Sequence, residues 1–184
     1  MTMRRTIAVI IRLAEGRAIA NYAIAGAVAA LNYIQPFLTE DLDILISTDG
    51  FEKHRSGLLL LGPIEKALAE MGYTERTDLG YEIEGWPVQF LPIGSPLDEE
   101  ALAQAADVNI APSGEPPLTA RCLRAEYVVA IALKVGRLKD LARIQAFLEQ
   151  DAVDLGRLKT VLERHDLMGA WKAFCLKAAI SNPL

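Results

Sequence analysis

The feature that most constrains the fold of this chain is a pattern of strand, glycine turn, helix and acidic strand between residues 21 and 46. A short apolar run ends at Gly26, an alanine-rich segment follows, and a second apolar run begins beside Asp41 and Asp43. Alternate residues of a strand share a face, so the two carboxylates are expected on one side of the strand, about 6.6 Å apart along it. The pattern predicts a strand, turn, helix and strand unit around which the rest of the chain is organised.

The groups in this unit have chemistry that suits a nucleotide. Two convergent carboxylates are hard oxygen ligands, and Mg²⁺ usually takes one or two of these together with substrate phosphates. The turn at Gly26 and Ala27 precedes a helix, whose N-terminus offers backbone N–H groups and a partial positive charge to a phosphate. Asp41 and Asp43 are therefore predicted metal ligands, and Gly26 and Ala27 are predicted phosphate contacts. Alternatively, the acids are solvated or cap a turn, and Gly26 only supplies a positive φ.

Composition limits the class of protein. The 184 residues, 52% of them hydrophobic, are enough for one well-buried domain or for a domain with a small appendage. The formal net charge of −5 argues against a broad surface for nucleic acid, which depends on clustered lysines and arginines. Cys122 and Cys175 lie outside any C-x-x-C pair, which predicts two reduced, buried thiols. No apolar run is long enough to span a membrane, so we expect a soluble, cytoplasmic protein.

Periodicity and turn residues predict a mixed fold followed by a helical tail. The predicted helices of the first part are 3–15, 27–33, 63–71 and 98–106, and the predicted strands are 20–25, 42–47, 73–77, 81–84 and 87–93. Pro36 is expected to end the second helix, residues 48–62 to be mostly loop, and residues 108–119 to be a loop with room for two short edge strands. From residue 123 only helical periodicity is found, in four segments. The sequence thus predicts an α/β (α+β) domain over residues 1–120, with a mixed sheet flanked by helices, and a helical subdomain over 121–184.

The ordered motifs resemble those of the nucleotidyltransferase superfamily. The small-residue pair Gly26-Ala27 is followed, after a helix and a loop, by Asp41-Leu-Asp43, which is similar to the two-acid signature of that superfamily. Further along, residues 126–144 resemble the helical Lys motif and the following Lys/Arg-Asp motif of the branch that contains the AbiEii-type abortive-infection toxins.

The resemblance implies an activity and further site residues. The implied reaction is Mg²⁺-dependent transfer of a nucleoside monophosphate from an NTP to a hydroxyl acceptor on RNA, a protein or a small molecule. Lys134 would hold the triphosphate, Arg137 and Lys139 would be further nucleotide contacts, and Asp140 would be a catalytic acid that assists deprotonation of the acceptor. The residues also admit plainer interpretations: Lys134 extends its stem outward from an apolar face, Asp140 is favoured by the helix macrodipole, and Arg137 and Lys139 are solvated.

If the resemblance holds, the acid pair, Gly26 and Lys134 are expected to line one cleft although they are far apart in the sequence. The chain also departs from the superfamily pattern. Ala27 stands where glycine or serine is common, and Gln89 stands where a third carboxylate is common, unless that ligand is Glu82 or Glu84. The alternative hypothesis is therefore a catalytically degenerate binding or regulatory protein, with a toxin–antitoxin role and an antitoxin partner as a further alternative. His54 and His165 match no metal site or triad and are predicted to be surface residues.

Overall fold

The structure is a computed structural model that describes residues 3–35, 38–51, 61–110 and 116–184. Its helices are α1 (Met3–Glu15), α2 (Gly26–Ala30), α3 (Gly62–Glu70), α4 (Pro96–Ala103), α5 (Ala125–Val135), α6 (Leu138–Glu149), α7 (Leu155–Arg164) and α8 (Met168–Lys177). Its strands are β1 (Tyr22–Ile24), β2 (Leu42–Ile46), β3 (Arg76–Thr77), β4 (Gly80–Ile83), β5 (Trp86–Pro92), β6 (Ala106–Asn109) and β7 (Thr119–Cys122). None of the helices in these ranges is both long and apolar enough to cross a bilayer. Pro36, His54 and most of the predicted loop 48–62 lie outside the described residues.

The strands form one mixed seven-stranded sheet in the order β3-β4-β5-β2-β1-β7-β6. β2 runs antiparallel to β1 and parallel to β5, and β1 runs parallel to β7. The remaining pairs, β3 with β4, β4 with β5 and β6 with β7, are antiparallel, which confirms the predicted meander over β3, β4 and β5. The predicted mixed α/β architecture is therefore present.

The sequence of β2 fits its interior place in the sheet. Leu42, Ile44 and Ile46 are completely buried, as expected for a strand that is paired on both edges. Because side chains alternate along a strand, Asp43 points to the opposite face from these residues, together with Leu45. The sheet core thus holds the acidic residue in place while its carboxylate faces a cavity.

Three of the differences from the predicted boundaries bear on the site. α2 has only five residues, because the chain leaves the helical hydrogen-bond pattern after Ala30 and continues as turns. β7 is not an edge strand: Ile24 of β1 pairs with Cys122, and the amide of Leu123 donates to the carbonyl of Ile24 at 3.0 Å. The helical part of the chain consequently begins at Ala125 rather than at residue 121, since residues 119–122 complete the sheet.

The helical tail is joined to the first part of the chain through α5, which contacts α2 and α4 as well as the tail helices α6, α7 and α8. Phe147 and Trp171 are completely buried, and the ring of Trp171 lies 5.5 Å from that of Phe174. Both cysteines are buried free thiols, as predicted. Burial of aromatic side chains of this size contributes about 2 kcal/mol or more each, so the tail helices stabilise the placement of α5 beside the sheet.

Candidate active site

The Gly26 turn and the Asp43 side chain are in direct contact. The amide of Ala25 donates to the carbonyl of Asp43 at 2.9 Å, which places the turn against β2. Gly26 has φ +58°, and a Cβ atom added to it would lie 2.0 Å from Oδ2 of Asp43. Glycine is therefore required here both for its backbone conformation and for the close approach of the carboxylate.

The two aspartates lie close enough for each to affect the other. Burial raises the pKa of Asp43, the charge of Asp41 raises it further, and Arg137, Arg143 and Lys139 act in the opposite direction. A partly buried carboxylate beside a second carboxylate is an unfavourable arrangement for two negative charges, and a cation placed between them would relieve it.

Gln89 occupies the position predicted for it opposite the acid pair. In the parallel pairing of β2 with β5, Gln89 lies level with Asp43, and its Nε2 donates to Oδ2 of Asp41 at 3.4 Å. Glu82 pairs instead with Pro87, and Glu84 accepts a hydrogen bond from the hydroxyl of Tyr73. Among the described residues, no group of three or more His, Cys, Asp and Glu side chains is arranged to hold a metal ion.

Asp140 is the centre of a buried ion cluster at the start of α6. Its side chain is 1% exposed; Oδ2 accepts from Nε of Arg137 at 2.6 Å, and Oδ1 accepts from Arg137 Nη2 and from Arg143 Nη1, both at 3.2 Å. Both oxygens are thus engaged by guanidinium groups. The cluster fixes two cations beside the acid pair.

Arg143 lies beside the acid pair, although the sequence motifs assign it no role. It is 7% exposed and lines the same cavities as Asp43. Burial lowers its pKa, and the charges of Asp140 and Asp43 act in the opposite direction. The hydrogen bonds that Arg137 donates to Asp140 raise the pKa of Arg137. The signal that could have identified Arg143 is its i, i+3 spacing from Asp140, which places both on one helix face.

The predicted site residues meet at two adjoining cavities. The larger, of about 430 Å³, is lined by Gly26, Asp43, Gln89, Lys134, Arg137, Asp140 and Arg143, with apolar walls from Leu45, Leu91, Val128, Ile131 and Val135. The smaller, of about 180 Å³, is lined by Ala27, Asp41, Asp43, Arg137, Lys139 and Arg143. Asp43 and the two arginines belong to both. The structure therefore brings the acid pair, the glycine turn and the cations of α5 and α6 together, although their roles stay predictions.

Lys134 lies at the edge of the larger cavity and is exposed. Its Nζ donates to Oγ of Ser95 at 2.7 Å, and the same Oγ caps α4 by accepting from the amide of Asp98 at 3.4 Å. That hydroxyl also donates to Oδ2 of Asp98 at 2.8 Å, so a carboxylate of the cavity wall lies on the other side of Ser95 from the ammonium group.

Comparisons with known proteins identify the fold. Neither protein-family models nor curated proteins match the chain. A solution structure of the antibiotic-resistance factor ANT(2'')-Ia matches 96% of this chain and 96% of its own, with TM-score 0.50 and 16% identity. A crystal structure of ANT(2'')-Ia in complex with adenylyl-2''-tobramycin matches 97% of this chain and 99% of its own, with TM-score 0.48 and 16% identity. The chain thus has a nucleotidyltransferase-like fold, a mixed sheet flanked by helices with an acid pair at the start of β2.

Proposed function

We propose that this protein is a metal-dependent nucleotidyltransferase that moves a nucleoside monophosphate from an NTP to a hydroxyl acceptor. The observation that carries the proposal is the convergence of Asp41 and Asp43 with the Gly26 turn and the cations Lys134, Arg137 and Arg143. The fold shared with ANT(2'')-Ia, an aminoglycoside nucleotidyltransferase, supports it. Catalysis of this type depends mainly on positioning and on charge stabilisation, both of which this cleft can supply.

The acid pair fits a divalent metal ion by its donor chemistry. Mg²⁺ prefers hard oxygen ligands and commonly takes one or two carboxylates while the remaining positions go to phosphate and water. Asp41 and Asp43 are such a pair. Burial and, secondly, the charge of Asp41 raise the pKa of Asp43, and a bound cation would favour its charged form. When bound there, the ion would polarise the α-phosphate as a Lewis acid.

The cations of α5 and α6 bind and orient the triphosphate in this proposal. Arg143 and Arg137 are held rigidly by Asp140, and Lys134 and Lys139 supply exposed ammonium groups. The five-residue α2 adds less dipole charge than a longer helix would, because only a few peptide units align. Side-chain cations therefore contribute the greater part of the phosphate binding.

Asp140 is a positioning residue in this proposal rather than the base suggested by the sequence motif. A general base needs a lone pair within hydrogen-bond reach of the acceptor hydroxyl. Both oxygens of Asp140 instead accept hydrogen bonds from Arg137 and Arg143, so its role is to orient these two guanidinium groups. The assignment to the AbiEii-type branch, a toxin–antitoxin role and an antitoxin partner stay hypotheses based on the motifs.

Replacement of Asp43 tests the activity. With Mg²⁺, α-labelled NTPs and a panel of RNA, small hydroxyl compounds and the protein itself as acceptors, wild type is expected to transfer label. Asp43→Asn should lower the rate by at least about 100-fold, because a neutral amide removes charge where the phosphoryl group reacts. The control is Asp49→Asn, which changes an exposed carboxylate that lines neither cavity. Equal rates in Asp43→Asn and wild type would rule out the proposed site.

A catalytically degenerate protein is the second candidate, and Gln89 is the observation that favours it. A neutral side chain lies beside the acid pair where a third carboxylate would complete a metal site, and it donates a hydrogen bond to Asp41. In that case wild type transfers no label from any NTP, although NTP still raises its melting temperature by mass action.

Gln89→Asp is expected to strengthen metal binding in either case. A third carboxylate adds a charged oxygen ligand where an amide donated a hydrogen bond, so Mg²⁺ affinity should rise about tenfold by calorimetry. The matched control is Gln145→Asp, which makes the same change of net charge on the exposed face of α6. If both substitutions change the affinity equally, the effect is one of net charge and Gln89 does not contribute to the site.

A further inference from the structure

A third cavity of about 430 Å³ lies between α4, α5 and α7. Its lining includes Glu126 and Arg124 at the N-terminal end of α5, whereas the proposed active site lies at the C-terminal end beside Lys134. The eight residues from Glu126 to Lys134 span about 12 Å of helix axis. The third cavity shares no lining residue with either cavity of the acid pair.

The wall of this cavity holds a largely enclosed acidic side chain whose carboxylate has no donor among the described residues. Glu126 is 7% exposed and lines the cavity. Within the described parts of the chain, it has no hydrogen-bond donor and no cation within 4.0 Å. Its carboxylate oxygens are not fully enclosed, so a ligand in the cavity can reach them. Glu126 therefore offers a strong acceptor to a molecule that brings a cationic donor.

The neighbouring acid, Glu100, is already fully bonded. It accepts from the hydroxyl of Tyr127 at 2.8 Å, pairs with Nε2 of His165 at 2.8 Å, and forms an ion pair with Arg164. His165 has a side chain only 10% exposed, so the prediction that it is a surface residue is wrong. This network makes a rigid wall and leaves Glu126 as the acid available to a ligand.

Two arginines at the rim of the cavity have guanidinium N–H groups that can still donate to a ligand. Arg124 uses Nε to donate to the carbonyl of Gln104 at 2.8 Å, and its terminal amino groups have no acceptor among the described residues. Arg157 is 69% exposed and forms an ion pair through Nε with the carboxylate of Asp154 at 3.5 Å, so its terminal amino groups remain available to an anion. The cavity thus combines a carboxylate that has no donor among the described residues with guanidinium groups that can still donate.

We propose that this cavity binds a small molecule that carries both a cationic N–H group and an anionic carboxylate or phosphate group. The cationic group bonds Glu126, and the anionic group bonds Arg124 and Arg157. The cavity volume is within the range of small-molecule sites. A ligand with only positive charges would be repelled by the arginines of the rim, and one with only negative charges would be repelled by Glu126. Each would also leave the opposite group of the cavity unpaired. This site is independent of the proposed nucleotidyl transfer.

Four probes of similar length test the required charges on the full-length protein. 5-Aminopentanoate and O-phosphoethanolamine each carry one ammonium group and one anionic group, 1,5-diaminopentane carries only cations, and glutarate carries only anions. At least one of the first two is expected to raise the melting temperature and to bind by calorimetry at least about tenfold more tightly than the last two. No binding by either zwitterion, or equal binding by a singly signed probe, overturns the proposal.

Substitutions then locate the binding. Glu126→Gln and Arg157→Ala are each expected to weaken the zwitterion by at least about tenfold, because each removes a charge-assisted hydrogen bond. Arg157 is exposed, so its variant remains informative if Glu126→Gln does not fold. Glu163→Gln, which alters an exposed carboxylate of α7 outside the cavity, and Asp43→Asn should bind like wild type. If Arg157→Ala binds the zwitterion as tightly as wild type, the proposal is overturned. That result is expected if an arginine of the rim pairs with Glu126 and the ligand does not contact Arg157.

Discussion

Gly26→Ala is expected to destabilise the protein by more than about 3 kcal/mol and to abolish nucleotidyl transfer. An L-residue held at φ +58° costs about 1–3 kcal/mol in backbone strain. The added Cβ would also lie 2.0 Å from Oδ2 of Asp43, so that either the turn or the carboxylate has to move. Movement of the carboxylate displaces a predicted metal ligand, and movement of the turn breaks the hydrogen bond from Ala25 to β2.

Gly72→Ala separates the two contributions. Gly72 has φ +88°, and nothing lies within 4 Å of an added Cβ, so this variant has the backbone strain without the steric overlap. Urea unfolding should show a loss of about 1 kcal/mol for Gly72→Ala, with transfer activity retained. Equal losses of stability in the two variants would mean that Gly26 is required only for its φ angle.

The surroundings of Gly26 show which structural features could be predicted from the sequence and which could not. Its turn, the helix after it and the two acids on the next strand could all be predicted from local pattern, because periodicity and glycine placement are properties of neighbouring residues. The contact between Gly26 and Asp43 depends on the pairing of β1 with β2, which is a property of the whole sheet. The same distinction explains β7, whose short sequence resembles an edge strand but pairs on both sides.

In the candidate active site, too, some positions could be predicted from the sequence and others could not. The position of Gln89 beside the acid pair could be predicted, since the parallel register of β2 and β5 follows once their apolar runs face the core. The place of Arg143, to which the motifs assign no role, depends on the packing of α6 against α5. The cavity at Glu126 depends on the packing of α4, α5 and α7. Local pattern specifies the elements, and long-range packing decides which charges face each other.

Replacement of Asp140 is also expected to have a large effect on stability. The sequence allowed both a catalytic and a structural role for this residue. Asp140→Ala is expected to cost about 3–5 kcal/mol of unfolding free energy, because it leaves the buried guanidinium of Arg143 without its carboxylate. The double variant Asp140→Ala/Arg143→Met should be more stable than Asp140→Ala by about 2 kcal/mol, since the buried guanidinium is removed together with the carboxylate that offsets its charge. A double variant no more stable than the single one would show that the ion pair is not what the fold depends on.

Kinetics separate the two roles of Asp140. If it positions Arg137 and Arg143, Asp140→Ala raises KM for the NTP as well as lowering kcat, and the residual transfer keeps the pH profile of wild type, because the group that titrates is elsewhere. The double variant recovers stability without recovering NTP affinity, since Arg143 is absent from the cavity. If Asp140 is the general base, the variant lowers kcat at unchanged KM and removes the acidic limb of the pH profile. The arrangement of its oxygens, both bonded to arginines, predicts the first result.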